Sequence, residues 1–228
     1  TDINLPIYHL HSLSKERIEE QKKYYKNSNR KSLPMHLIQS SIISEALQNY
    51  TGKLFIFTLI REPISREMSS IFQDSFNFTS SRSIGSDAIR QIAETKMKYL
   101  AESLPENEWF NRELNHVFKI DVFKIPFKTD IGYFHKTYDQ KEFCLIRLEN
   151  LNEHFDSIIK EVFNRDSSIP LVLENDSENK FYSTDYIELK SSLTIKELDL
   201  NKIINSLFIT KFYTDYIPRI KQKWLTKQ

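Results

Sequence analysis

The chain has 228 residues, a length that suits one α/β domain with a small helical addition. Its 32 basic and 31 acidic side chains give a formal net charge of +1, which excludes a whole surface that binds polyanions but allows a local basic groove. Hydrophobic residues make up 39% of the chain and there are only 3 glycines, so the composition predicts a packed core and excludes global disorder and glycine-rich repeats.

The cysteine content and the hydropathy pattern bear on the cellular compartment of the protein and on whether it spans a membrane. Cys144 is the one cysteine, so no internal disulfide forms and nothing indicates an oxidising compartment. No apolar run approaches the ~20 residues of a membrane span. The first residues show neither a signal-peptide pattern nor an initiator methionine. We therefore expect a cytoplasmic protein and no membrane span in this chain. We also expect that the chain lacks upstream residues of a longer protein.

The first half of the chain predicts helices around one buried strand. Residues 6–10 form a short strand candidate, and residues 53–60 (KLFIFTLI) are apolar at nearly every position. Such a run predicts a strand that is covered on both faces, as in a parallel sheet. Apolar spacing and charge predict helices over residues 15–26, 34–50, 64–73 and 87–104. A polar loop is expected over residues 77–85.

The second half continues with shorter strands and ends in helices. Strands are expected over residues 120–125 and 143–148, with a loop over residues 127–139 between them. The pattern predicts helices over residues 109–117, 152–164, 182–193, 195–207 and 209–224, and a polar loop over 170–180. Strands that alternate with helices imply an α/β fold, a parallel sheet flanked by helices with a helical C-terminal third.

The segment around Arg61 carries the strongest chemical signal. Arg61 follows the buried strand directly, at the carboxyl edge where open α/β sheets bind ligands. Pro63 begins a helix whose free N–H groups favour an anion, and Ser69 lies about two turns further on. Arg61 can fork two hydrogen bonds to a phosphate while Ser69 presents its hydroxyl to the same anion. In the alternative interpretation, Arg61 pairs with Glu62 or Glu67 and Ser69 is ordinary helix surface.

These residues resemble a known family. Arg61-Glu62-Pro63 followed by Ser69 resembles the 3′-phosphate-binding motif of sulfotransferases that use 3′-phosphoadenosine 5′-phosphosulfate (PAPS), which is usually Arg-Asp/Asn-Pro, five residues and a serine. WFNREL (residues 109–114), IDVFKIPF (120–127) and Gly132-Tyr133 resemble the middle of bacterial sulfotransferase-like proteins of capsular polysaccharide synthesis. LIRLENL (145–151) is similar to the LxRxEDL segment of carbohydrate sulfotransferases, in which we expect Glu149 to anchor a loop.

The resemblance implies a fold, a donor and an acceptor. It implies one sulfotransferase-like domain over residues 1–228, built on a P-loop-like parallel sheet. It further implies that PAPS is the co-substrate, that a saccharide or polysaccharide hydroxyl is the acceptor, and that neither a metal nor a nucleic acid takes part. Arg61 and Ser69 then bind the 3′-phosphate. Lys180, in the polar loop, is the best match to a late basic loop that closes over the nucleotide, although a solvated surface lysine is the alternative.

A second candidate site lies at the start of the chain. His9 and His11 are two residues apart, so on a strand they face the same side. One imidazole can accept the proton of a sugar hydroxyl that attacks sulfur, because histidine titrates near neutral pH. The pair resembles the catalytic pair of uronyl 2-O-sulfotransferases, which implies that His11 or His9 is the general base. A metal pair and a structural pair bonded to backbone carbonyls are the alternatives.

One departure from the family pattern concerns the donor loop. The family carries a Lys-x-Gly-[ST] loop that follows a first strand and holds the 5′-phosphosulfate, whereas residues 51–53 (TGK) precede a strand. We therefore expect that the loop lies upstream and that this chain alone is a poor enzyme, or that the protein is a non-catalytic saccharide-binding relative. Another nucleotide-dependent transferase of the kinase type is the third hypothesis.

Overall fold

The computed structural model describes residues 6–28, 32–78, 86–163, 171 and 182–225, and most of these lie in helices. The α-helices are α1 (Lys15–Asn27), α2 (Met35–Leu47), α3 (Pro63–Phe78), α4 (Ser86–Glu102), α5 (Pro105–Trp109), α6 (His116–Phe118), α7 (Leu151–Phe163), α8 (Ser183–Ser192), α9 (Glu197–Ile204), α10 (Leu207–Phe212) and α11 (Ile217–Trp224). The strands are β1 (Leu54–Ile60), β2 (Tyr133–Tyr138) and β3 (Lys141–Arg147). A π-helix covers Phe110–Asn115, and 3₁₀ turns cover Val122–Lys124, Leu148–Asn150 and Thr214–Tyr216.

The chain divides into two compact units. The first consists of Thr1–Gly52 and Glu106–Ile125, and the second of Lys53–Pro105 and Pro126–Gln228. The first unit contains α1, α2 and the π-helix, and the second contains the sheet, α3, α4 and the C-terminal helices. A single sulfotransferase-like domain over residues 1–228 stays a prediction.

The sheet of the second unit is mixed, with β3 between β1 and β2. β1 runs parallel to β3, with Phe57 opposite Cys144, whereas β2 runs antiparallel to β3. β3 is the buried centre of the sheet, and α7 covers one of its faces. The ring of Phe163 at the end of α7 stacks on that of Phe55 in β1, with a centroid distance of 4.5 Å.

The predicted P-loop-like parallel sheet is therefore wrong. The described residues form a mostly helical fold with one small mixed sheet. The antiparallel strand β2 lies within residues 127–139, for which the sequence predicts a loop. Only Asp139 and Gln140 connect β2 to β3, and Asp139 adopts a positive φ of 51°. Two residues suffice for an antiparallel hairpin, whereas a parallel pair needs a long crossover. The sequence lacks the Asn-Gly or Asp-Gly dipeptide that signals such a hairpin.

The predicted burial of β1 on both faces is also wrong. Within the described sheet β1 is an edge strand, and the side chains of Phe57 and Leu59 are 44% and 55% exposed. Thr58 and Ile60 on the opposite face are buried. An apolar run thus marked the strand correctly but not its position in the sheet.

Two further strand predictions fail, and the predicted helices are largely present. Residues 6–10 form no regular element, and residues 120–125 contain a 3₁₀ turn because the Asp121 carboxylate accepts the N–H of Phe123 at 3.2 Å. A side-chain acceptor of this kind favours a turn over a strand. The helix expected over residues 209–224 is divided into α10, a 3₁₀ turn and α11, with Pro218 in the first turn of α11. In the described ranges, no helix combines the length and the apolar character that a bilayer span needs.

Candidate functional site

Arg61 and Ser69 lie side by side in the second unit. Arg61 follows β1 directly, and Ser69 lies on α3, which begins two residues after Arg61. The Nη1 of Arg61 donates to the Oγ of Ser69 at 2.9 Å. The same hydroxyl donates to the Ser65 carbonyl at 3.2 Å and lies 3.4 Å from the Tyr186 hydroxyl. The strand–Arg-x-Pro–helix arrangement thus brings the two residues together, and their role as phosphate ligands stays a prediction.

Glu62 does not pair with Arg61 but caps α3. Its Oε1 accepts the N–H of Ile64 at 2.8 Å, and its Oε2 accepts the N–H and the hydroxyl of Ser65 at 3.0 Å and 2.6 Å. The prediction that the first N–H groups of this helix are free for an anion is therefore wrong, because a carboxylate already occupies two of them. An anion beside Arg61 must be bound by side chains.

Glu67, the other carboxylate considered for Arg61, has different partners. Its Oε1 accepts from the Nη2 of Arg66 at 2.6 Å, and its Oε2 lies 3.6 Å from the Nζ of Lys96. Among the residues that the structure describes, no carboxylate forms an ion pair with Arg61. Its guanidinium contacts a neutral hydroxyl and keeps further N–H donors for an anionic group.

Glu149 anchors the segment that carries Arg61, as the sequence predicts. One carboxylate oxygen accepts the N–H of Glu62 at 2.9 Å, and the other accepts the Tyr213 hydroxyl at 3.0 Å. Tyr213 is fully buried, and burial together with the Glu149 charge raises its pKa well above the ordinary value. Tyr213 is therefore a neutral donor, and Glu149 links the end of β1 to the C-terminal helices.

Arg147, in the segment that resembles LxRxEDL, is buried and bonded to the protein itself. Its guanidinium donates to the Asn150 side chain at 2.8 Å, to Asp215 at 2.7 Å, to the Phe212 carbonyl at 3.2 Å and to the Thr129 carbonyl. These bonds join the end of β3 to the segment before β2 and to the end of α10. Arg147 is a structural residue, since internal acceptors occupy its donors.

Lys223 lies near Arg61 and near two further basic side chains, Lys190 and Arg219, and the sequence interpretation missed all three. The Nζ of Lys223 on α11 donates to the Ser65 hydroxyl at 3.2 Å. Partial burial lowers the pKa of Lys223, and the neighbouring charges of Lys190, Arg219 and Arg61 lower it further. We call Arg61, Lys190, Arg219 and Lys223 the basic cluster. A lysine on a helix carries no local sequence pattern that shows whether it belongs to such a cluster or to an ordinary solvated surface. Lys180 lies outside the described residues.

The first unit brings three imidazoles together. The ring centroids of His9 and His11 are 4.8 Å apart, and those of His11 and His36 are 5.7 Å apart. Partial burial lowers the pKa of His11, and the charges of His9 and His36 lower it further. His11 is therefore neutral at neutral pH and able to accept a proton. Residues 6–10 form no strand, so the proximity comes from an irregular segment, and the sequence interpretation missed His36.

The WFNREL segment positions His11. The indole Nε1 of Trp109 donates to the His11 carbonyl at 2.9 Å. Glu113, buried in the π-helix, accepts the N–H groups of Leu13 and Ser14 at 2.5 Å and 2.8 Å, and the Ser14 hydroxyl at 3.1 Å. Within the described ranges, no group of three histidine, cysteine or acidic side chains is arranged to hold a metal ion.

Comparison with known proteins gives one match. The model of the family NKWYS, described as "Putative capsular polysaccharide synthesis protein", matches residues 86–214, more than half of the chain. The chain therefore belongs to this family of capsular polysaccharide synthesis proteins. No curated protein and no solved structure matches it. The matched segment contains Lys190, but Arg61, Ser69 and the three clustered histidines of the first unit lie outside it. Any role of these residues is therefore argued from their geometry.

Proposed function

We propose that this capsular polysaccharide synthesis protein transfers a sulfuryl group from PAPS to a saccharide hydroxyl. The observation that carries the proposal is the Arg61–Ser69 contact at 2.9 Å, together with the lack of an ion pair between Arg61 and any described carboxylate. A guanidinium whose hydrogen bond within the described residues goes to a hydroxyl is ready to bind a phosphate with two parallel hydrogen bonds. The proposal rests on this pair and not on the shape of the sheet.

The proposed chemistry is an in-line displacement at sulfur. The acceptor hydroxyl oxygen forms a new S–O bond, and the S–O bond to the 5′-phosphate breaks, leaving adenosine 3′,5′-bisphosphate. The acceptor proton passes to the imidazole of His11 or His9. The lowered pKa of His11 keeps its ring neutral and therefore able to accept that proton. Arg61 and Ser69 bind the 3′-phosphate and thereby position the donor, which is the main contribution that a protein makes to such a transfer.

Titration of the protein with adenosine 3′,5′-bisphosphate in a calorimeter tests the donor site. We expect Arg61→Ala to weaken binding by at least about 1.5 kcal/mol, the low end for a charge-assisted hydrogen bond. Arg61→Lys should also weaken it, because a point charge cannot reproduce the planar fork. Arg17→Ala, which removes an exposed arginine from the first unit, serves as the control. Equal affinities of wild type and Arg61→Ala would remove Arg61 from the site.

The same titration, repeated with other ligands, distinguishes the competing functions. Preferential binding of ATP with Mg²⁺ over the bisphosphate would indicate a kinase-type transferase and contradict the proposal. Binding of capsular oligosaccharide without any nucleotide binding would indicate a saccharide-binding module. A direct assay of sulfuryl transfer from PAPS to capsular oligosaccharide, made with this chain and with a chain extended at its N-terminus, then tests the reaction itself.

A further inference from the structure

The basic cluster gathers positive charge around one turn of α3. Arg61 contacts Ser69 at 2.9 Å and Lys223 contacts Ser65 at 3.2 Å, so the two cations bind hydroxyls one helical turn apart. The Nζ of Lys190 lies 5.5 Å from the centre of the Tyr186 ring. The hydroxyl of this tyrosine in turn approaches Ser69. Arg61 and Lys223 therefore contact this pair of serines directly, and Lys190 lies beside the tyrosine that approaches one of them.

One acidic side chain, Glu62, offsets part of this charge without forming an ion pair with it. Among the described residues, no carboxylate forms an ion pair with any member of the basic cluster. Glu62 raises the pKa of Lys223 and accepts the Ser65 hydroxyl to which Lys223 donates, so it opposes the three other cations only in part. Like charges that are brought together repel each other, and this repulsion disfavours the folded state.

A bound anion offsets that repulsion. The hydroxyls of Ser69 and Tyr186 add neutral hydrogen-bonding groups beside the cationic ones, which is the combination that phosphate oxygens need. A phosphate monoester carries nearly two negative charges at neutral pH, whereas a sulfate monoester carries one. The net positive charge of the cluster therefore favours the phosphate ester over the sulfate ester of the same alcohol.

We propose that Lys223 and Lys190 bind the same anion as Arg61 and make this face of the second unit a site for a phosphate monoester. The inference rests on the proposed function for the role of Arg61. It adds two side chains that bind the anion and a preference for a doubly charged anion, neither of which the proposed function requires. The phosphate belongs to a nucleotide or to a saccharide, and these two sources share the chemistry that the cluster recognises.

Calorimetric titration of charge-removing variants tests the inference with two probes. Adenosine 3′,5′-bisphosphate is the nucleotide probe, and inorganic pyrophosphate is a probe without a nucleoside. Lys223→Gln and Lys190→Gln should each bind both probes about tenfold or more weakly than wild type, since each loses a charged ligand. Lys223→Arg keeps the charge and should retain most of the affinity. Lys221→Gln removes the same charge from the opposite side of α11 and should change little.

The outcomes separate this inference from the proposed function. If Lys223→Gln and Lys190→Gln bind both probes as wild type does, or if Lys221→Gln loses as much affinity as they do, the inference is wrong, whatever Arg61→Ala shows. If pyrophosphate binding falls in both variants while the bisphosphate binds no more tightly than pyrophosphate, the anion site is supported and the PAPS donor is not. Both lysines are exposed, and a thermal unfolding midpoint equal to that of wild type confirms that the variants are folded.

Discussion

Replacing Glu62 by alanine removes the side chain that holds the start of α3. Its carboxylate is buried, with 5% of the residue exposed, and accepts hydrogen bonds from Ile64 and Ser65 at 2.6 to 3.0 Å. Loss of an N-terminal cap costs about 1 kcal/mol, and buried donors left without an acceptor cost about 1–3 kcal/mol more. We therefore expect Glu62→Ala to lower the free energy of unfolding by about 2–4 kcal/mol.

Glu62→Asp is the informative companion variant. Aspartate is a preferred N-cap, and the sulfotransferase motif that this segment resembles usually has aspartate or asparagine at this position. A shorter carboxylate reaches the N–H groups of the first turn without the extra methylene. We expect the aspartate variant to lose less than about 1 kcal/mol, because it retains both the cap and its favourable charge at the helix N-terminus.

Urea denaturation followed by far-ultraviolet circular dichroism measures both variants by linear extrapolation. Glu94→Ala, an exposed glutamate replaced on α4, is the control and should stay within about 0.5 kcal/mol of wild type. If Glu62→Ala also stays within about 0.5 kcal/mol, the cap does not hold α3 and the reasoning is refuted. If Glu62→Asp loses as much as Glu62→Ala, the length of the side chain matters more than its charge.

Two further predictions concern the histidines and the strand pair β2–β3. His11→Ala or His9→Ala should lower kcat about 100-fold or more in a sulfuryl-transfer assay with unchanged affinity for the bisphosphate, and unchanged kcat in both would place the base elsewhere. Lys53, Thr137 and His135 bind the Glu142 carboxylate and hold its pKa at about 2, below its ordinary value of 4.5. Because the folded-state pKa is the lower one, this stability is present above pH 4.5 and is lost as the pH falls towards 2. Glu142→Gln should therefore lose at most about 3 kcal/mol at neutral pH and flatten the acid limb of a urea-unfolding series, and an unchanged limb would contradict the assignment.

The parts of the structure that follow from local sequence were predictable. Helical apolar spacing identified α4 and α7 to within a few residues, because each buries an apolar face. It also located α2, although that helix buries Leu37 with two serines and leaves Ile38 and Ile42 exposed. The contact between Arg61 and Ser69 was predictable for the same reason, since both residues belong to one strand–helix unit and are eight positions apart. A short separation lets element geometry fix the distance between two side chains.

The direction of the strands did not follow from local sequence. The residues of β2 (YFHKTY) alternate without a strong apolar face, and the turn at Asp139 needs a positive φ that aspartate adopts only in context. Because the hairpin was not predicted, the antiparallel strand β2 was interpreted as a loop. The predicted sheet then contained the parallel strands β1 and β3 without their antiparallel neighbour. The wrong fold class came from this omission together with the two predicted strands, residues 6–10 and 120–125, that the structure does not form.

The basic cluster shows why the most informative part of the candidate site is invisible in the sequence. Arg61, Lys190 and Lys223 come from the end of a strand and from two distant helices. A lysine on a helix surface looks the same in sequence whether its neighbours in space are carboxylates or other cations. The net charge of +1 excludes a basic surface as a whole, yet the packing of α8 and α11 near α3 brings Lys190, Arg219 and Arg61 close enough to act on Lys223. Charge balance over the chain therefore says little about local potential, and tertiary packing decides where an anion binds.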